Sequence, residues 1–280
     1  MTGIWTIICI TALSGITGTG FGGVIGAVLR RDSKRIVSLL LGLAAGVMLS
    51  VVCFDLIEDA LGDTVDARQL FLSLAGISVG YMVIFLFNLA IDRHTNKQNP
   101  HTAGEHPKTA DDLDELIHSE HLQYHKRQKN GLFIAGVIMA CAIALHNLPE
   151  GIVIGASYAK DALANGGQSG LRMALVIGLH NIPEGMAVAV PLVSGGGKRT
   201  LAALTAAASG APTVLGAVIG YYFGMLSPLA LTLSLGFAGG AMLYVVLGEL
   251  LPEAILMWRS KAPAAAAFVG VLAGLLLIYL

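Results

Sequence analysis

Eight long apolar runs leave this chain few folds to adopt. They cover about residues 4–29, 36–62, 69–91, 131–158, 171–193, 200–224, 228–256 and 262–280. A helix of roughly 17–25 apolar residues crosses a hydrocarbon core while bonding its own backbone internally. The chain therefore reads as an all-α integral membrane protein of eight transmembrane helices, with the lipid bilayer as its first partner. Composition agrees, since 55% of the residues are hydrophobic and 12% charged, against about 25% charged in soluble domains. A net charge of −1 argues against a nucleic-acid partner, which would favour a basic patch. Cys9, Cys53 and Cys141 lie in apolar runs without a CxxC spacing and read as small buried hydrophobes. The first run lacks a basic leader and a small-residue cleavage site before Arg30, so it is expected to be retained as a helix.

Basic residues orient the bundle. The connections after spans 1, 3, 5 and 7 hold fourteen of the 17 Lys and Arg residues; only Arg68, Lys160 and Arg172 fall on the other side. The positive-inside rule places the fourteen in the cytoplasm, so both termini are expected outside. A single domain covers residues 1–280, with one long cytoplasmic loop at about 92–130 that holds six of the eight histidines. His118, His121 and His125 would share a stripe if that segment became helical, and read as a metal-capturing set.

HNLPEG at residues 146–151 returns as HNIPEG at 180–185, each inside an apolar run. An ionisable side chain at bilayer depth costs about 2.5–3.5 kcal/mol on insertion scales and is rarely idle. Spans 4 and 5 run antiparallel, so the two motifs can meet at similar depth. His146 and Glu150 are four apart, as are His180 and Glu184, which puts each pair on one helix face. Asn147 and Asn181 sit at the edge of that face. Pro149 and Pro183 cannot donate to Leu145 and Leu179, freeing carbonyl oxygens, and Gly151 and Gly185 permit close helix approach. Imidazoles, carboxylates and amide oxygens together suit a borderline divalent cation such as Zn²⁺, and also Fe²⁺ or Mn²⁺. Ligating imidazoles must be neutral, so binding should weaken as pH falls through about 6.5.

Two acidic stretches echo each other: FDLIEDAL at 54–61 and GELLPEAI at 248–255. Asp55 and Asp59 are expected near the outer mouth, Glu249 and Glu253 near the inner one, gathering and releasing cations. That placement fits an inverted repeat relating helices 1–3 to 6–8. GTGFGG at 18–23 has no strand before it, so it reads as helix packing rather than a dinucleotide loop. No Walker loop is present. Two other readings use the same residues. An intramembrane metal-dependent hydrolase would need a separate base and an open metal position, and a proton-coupled carrier would use His and Glu as a relay without bound metal.

The paired HNxPEG motifs on consecutive spans, the eight spans, the outside termini and the His-bearing loop resemble the ZIP (Zrt/Irt-like) divalent metal transporters of bacterial type, over nearly the whole chain. The resemblance implies a non-enzymatic, ATP-independent transporter in the cell membrane, a bacterial inner membrane. It would take zinc, iron, manganese or cadmium into the cytoplasm by alternating access, with the metal as substrate and no cofactor. It carries His146, Glu150, His180 and Glu184 over as central ligands and Asn147 and Asn181 as second-site positions. Met48 matches a thioether ligand of some members. It also points to a homodimer. One departure stands out: where members with two central metals carry Glu in a stretch like SGxxEPLGA, this chain reads SGAPTVLGA at 209–217, with Thr213 at the Glu position. Asn181 also stands where some members have Asp. One firm central site and a weak or absent second one are expected.

Overall fold

The computed structural model describes residues 3–28, 34–61, 67–95, 125–164 and 166–279. Among them eight helices are long and apolar enough to cross a membrane. They are α1 (Ile4–Val28), α2 (Arg35–Leu61), α3 (Ala67–Ala90), α4 (Met139–Leu163), α5 (Ser169–Ser194), α6 (Arg199–Leu226), α7 (Pro228–Met257) and α8 (Ala262–Tyr279). The helix of α3 continues to Thr95, and that of α4 begins back at His125. His118 and His121 lie outside the described residues, and His125 is described only as the first helical residue ahead of α4.

Boundaries follow local chemistry. Hydropathy ends the fourth span near 158, yet α4 continues to Leu163. Lys160 is held by Asp59, and Asp161 accepts the backbone N–H groups of Ser169 at 3.2 Å and Gly170 at 2.9 Å. Those N–H groups open α5 and have no partner inside it, so Asp161 ties the end of α4 to the start of α5. In α6 the helix breaks at Gly210 and Ala211 and restarts at Pro212, because proline suits the first turn of a helix but not its interior. Short π-helical turns interrupt α1 at Leu13–Thr17, α2 at Val52–Leu56 and α7 at Val245–Leu250. The last two contain Asp55 and Glu249.

Helix pairing divides the bundle into two groups. In one, α1 packs on α5, α4 on α6, and α4 on α5; in the other, α2 packs on α8 and α3 on α7. Glycine sets the closeness of these pairs. A Cβ at Gly151 or Gly155 would fall on the carbonyl of Thr213 or Ala217 in α6, and one at Gly185 on that of Thr19 in α1. Removing the side chain lets backbones touch, which is how helices gain dispersion contacts where lipid offers no hydrophobic drive. Tyr244 of α7 adds edge-on ring contacts to Tyr81 and Phe85 of α3. The groups meet chiefly along α4–α7, α6–α7 and α2–α5.

The outward faces are apolar, as a bilayer demands: Phe71, Leu175, Leu204, Phe268 and Leu276 are all exposed. Cys9, Cys53 and Cys141 are free and also lie on the exposed side. Expected in the interior, they sit on faces that lipid would cover; apolar neighbours in sequence do not distinguish the two settings.

Candidate metal centre

The repeated motifs place their polar side chains in the middle of the bundle. Both helices run through their motif prolines without a break. Glu150 of α4 and His180 and Glu184 of α5 each offer a ligand atom, and these atoms lie within 4.8 Å of one another. His180 Nε2 stands 2.9 Å from Glu150 Oε1. Glu150 and Glu184 are fully buried. Even so, Glu150 Oε2, both carboxylate oxygens of Glu184 and His180 Nδ1 have no hydrogen-bond partner among the described residues. Buried polar atoms are nearly always partnered, and an unpaired buried carboxylate is costly. Three such oxygens converging beside an imidazole make a place that a dication would stabilise. The donor set, two carboxylates and an imidazole, is one that Zn²⁺ and neighbouring divalent metals accept.

His146 departs from this cluster. Its Nδ1 lies 3.3 Å from Glu249 Oε2 of α7, while its Nε2 has no partner. Glu249 Oε1 also accepts from Asn88 Nδ2 of α3. Glu249 thus stands beside the first motif, joining the two helix groups. Glu253, one turn on, has an unpartnered buried Oε1.

The two asparagines enter a neutral network. Asn147 donates to the carbonyls of Ile143 at 2.9 Å and Ser209 at 3.1 Å. Its Oδ1 accepts from Thr213 Oγ1 at 3.0 Å and from Asn181 Nδ2 at 3.4 Å. Asn181 Nδ2 is also 3.4 Å from the Ser14 carbonyl. Amides, hydroxyls and carbonyls of α1, α4, α5 and α6 thus meet with no formal charge, although Asn181 Oδ1 and Ser14 Oγ find no partner among the described residues. Met48 is buried in the apolar core.

At the Asp55 end of the bundle, Arg172 Nη2 contacts Asp55 Oδ1 at 3.1 Å, and Lys160 contacts Asp59. Sequence reasoning named the carboxylates but not their partners, nor Asn88, Ser209 or Ser14. The signal for two of these was available: apart from Arg68, Lys160 and Arg172 are the only basic residues on that side of the spans. Asn88 shows only as a lone amide in an apolar run.

A family profile described as ZIP zinc transporter matches residues 90–280. Among curated proteins, the zinc transporter ZupT of Chlorobium luteolum is 34% identical over 263 residues, 91% of this chain and 90% of the relative. The zinc transporter ZupT of Corynebacterium aurimucosum is 32% identical over 251 residues, 86% of this chain and 84% of the relative. That of Akkermansia muciniphila is 31% identical over 281 residues, covering 98% and 96%.

Proposed function

The chain belongs to the ZIP zinc transporter family, and from that premise we propose that it carries metal into the cytoplasm through the Glu150–His180–Glu184 cluster. It is a multi-pass membrane transporter of divalent metal, with Zn²⁺ as its substrate rather than a cofactor, and not an enzyme. The observation that carries the proposed route is the set of buried, unpartnered carboxylate oxygens shared by α4 and α5. A dication arriving there replaces its water with two carboxylates and an imidazole. His146, one turn before Glu150 on α4, is 3.3 Å from Glu249, so in this reading it receives the metal next and passes it towards Glu249 and Glu253.

Asp55 and Asp59 lie at the outer mouth in this reading. Alternating access arises because the motif helices α4 and α5 belong to one packed group, and Asp55, Glu249 and Glu253 to the other. Relative movement of the groups opens one mouth and then the other without breaking the close glycine contacts inside each. The pairing α1–α5 with α6–α4, and α2–α8 with α7–α3, supports an inverted repeat of helices 1–3 and 6–8. Thr213 and Asn147 fill the second-site position with neutral groups, so one central metal is carried at a time; neutral ligands hold a dication poorly in a medium of low dielectric. The same reading includes the homodimer and the bacterial inner membrane that the family resemblance implies.

Zinc flux into sealed proteoliposomes holding a metal-sensitive dye tests the route. Saturable influx that disappears in Glu184→Ala is the expected result. Wild-type flux from that variant would remove the cluster from the pathway.

A further inference from the structure

The carboxylates at the Asp55 end are not open to solvent cations as they stand. Asp55 is buried, with only 7% of its surface exposed. One oxygen meets Arg172 Nη2 at 3.1 Å, and the other, Oδ2, has no partner. Arg172 Nη1 donates at 2.9 Å to the Ile278 carbonyl near the end of α8. Asp59, one turn beyond Asp55, is paired with Lys160. Asp55, Asp59 and Ile278 belong to the group containing α2 and α8, whereas Lys160 and Arg172 belong to α4 and α5. Every one of these contacts therefore crosses between the two helix groups, at the same end of the molecule.

We propose that Lys160 and Arg172 form an electrostatic clasp that shuts this mouth, and that a divalent cation opens it by taking Asp55 and Asp59 from them. The exchange conserves charge: one dication replaces two monovalent side chains on two carboxylates. Asp59 is the more accessible of the two carboxylates, with 16% of its side chain exposed, and supplies the first contact; the unpartnered Oδ2 of Asp55, buried while the clasp is shut, becomes a ligand as the pairs part. Both basic side chains are already half-exposed while paired, 42% for Lys160 and 41% for Arg172, so releasing them returns their charges to water at little cost. Opening is thereby linked to the presence of cargo. The inference rests on the transport reading only for what the mouth admits; the clasp itself is a property of the two helix groups.

The test is thiol labelling of the full chain in proteoliposomes. Cys9, Cys53 and Cys141 are changed to Ser, Met173→Cys supplies a buried probe beside Arg172, and an impermeant charged thiol reagent is added outside. Arg172→Ala and Lys160→Ala should each raise the labelling rate about fivefold or more, as expected for a coupling of ordinary size. The charge swap Asp59→Lys with Lys160→Asp should return the rate towards the parental value. Arg172→Lys keeps the charge and controls for folding, while Lys160→Ala probes the more exposed pair. Mn²⁺, which has low affinity for thiols, should accelerate labelling of the intact clasp in a Glu184→Ala background, where the central cluster is disabled. Unchanged rates in both alanine variants, or a swap that labels as fast as they do, would overturn the clasp. No effect of Mn²⁺ would overturn its opening by cation. Labelling needs no flux, so loss of the transport reading would show separately, in the influx assay.

Discussion

Replacing Glu184 by Gln keeps the size of the side chain and removes one charge, and should stabilise the empty protein while weakening its hold on zinc. The ligand atoms of Glu150 and Glu184 lie within 4.8 Å. Two carboxylate charges at that separation repel by at most about 3.5 kcal/mol at an effective dielectric of 20, and a proton held between them relieves part of it. Without metal that repulsion strains the fold, so Glu184→Gln should melt at or above the parental temperature. With metal the sign reverses, because breaking a buried charge pair costs about 3–5 kcal/mol; the lower end is about a hundredfold in Kd. Zinc at a hundred times the parental Kd stabilises the parent by about 2.7 kcal/mol through mass action. At the same concentration the variant gains only about 0.4 kcal/mol by the same relation. Thermal unfolding in detergent, scanned at one rate with and without zinc, reads both arms. A variant that melts lower than the parent without metal, yet keeps the full zinc-induced rise, would refute the electrostatic account of the cluster.

Three further outcomes follow from the same geometry. Gly151→Ala should destabilise the bundle by about 1–3 kcal/mol, because its Cβ meets the Thr213 carbonyl; loss of the monodisperse peak in size exclusion checks it, and parental elution and melting would remove the close contact from the account. Thr213→Glu adds a carboxylate beside Asn147 and should raise the metal count at the centre from one towards two, measured by elemental analysis after equilibration with zinc. Zinc affinity should fall on acidification from about pH 7.5 to 5.5, because protons compete with the metal for the buried carboxylates of Glu150 and Glu184. Calorimetric titrations that give one Kd across that window would argue against ligation by these two carboxylates.

The eight spans and the pairing of two motifs were legible without coordinates, and the reason is local. Apolar runs of membrane-spanning length have one way to satisfy their backbone in lipid, and i, i+4 spacing puts His180 and Glu184 on one face wherever the helix goes. The burial of Glu150 and Glu184 follows from the same logic, since a charge at that depth needs a protein interior around it. The exposed side of the three cysteines was not legible, because lipid and core select the same apolar neighbours.

Only the tertiary structure decided which polar groups meet across helices. It turned His146 from its own motif to Glu249, gave Asp55 and Asp59 to Arg172 and Lys160, and closed Asn147 into hydrogen bonds with Thr213 and Ser209. These partners are 62 to 117 residues apart in the cited hydrogen bonds, and no periodicity along one helix encodes the rotation and depth of another. Those are set by glycine contacts between backbones, which fix how closely the helices approach and hence which side chains come within bonding distance. The donor groups of the candidate site were written in two six-residue motifs; their partners depend on how eight helices lie against one another.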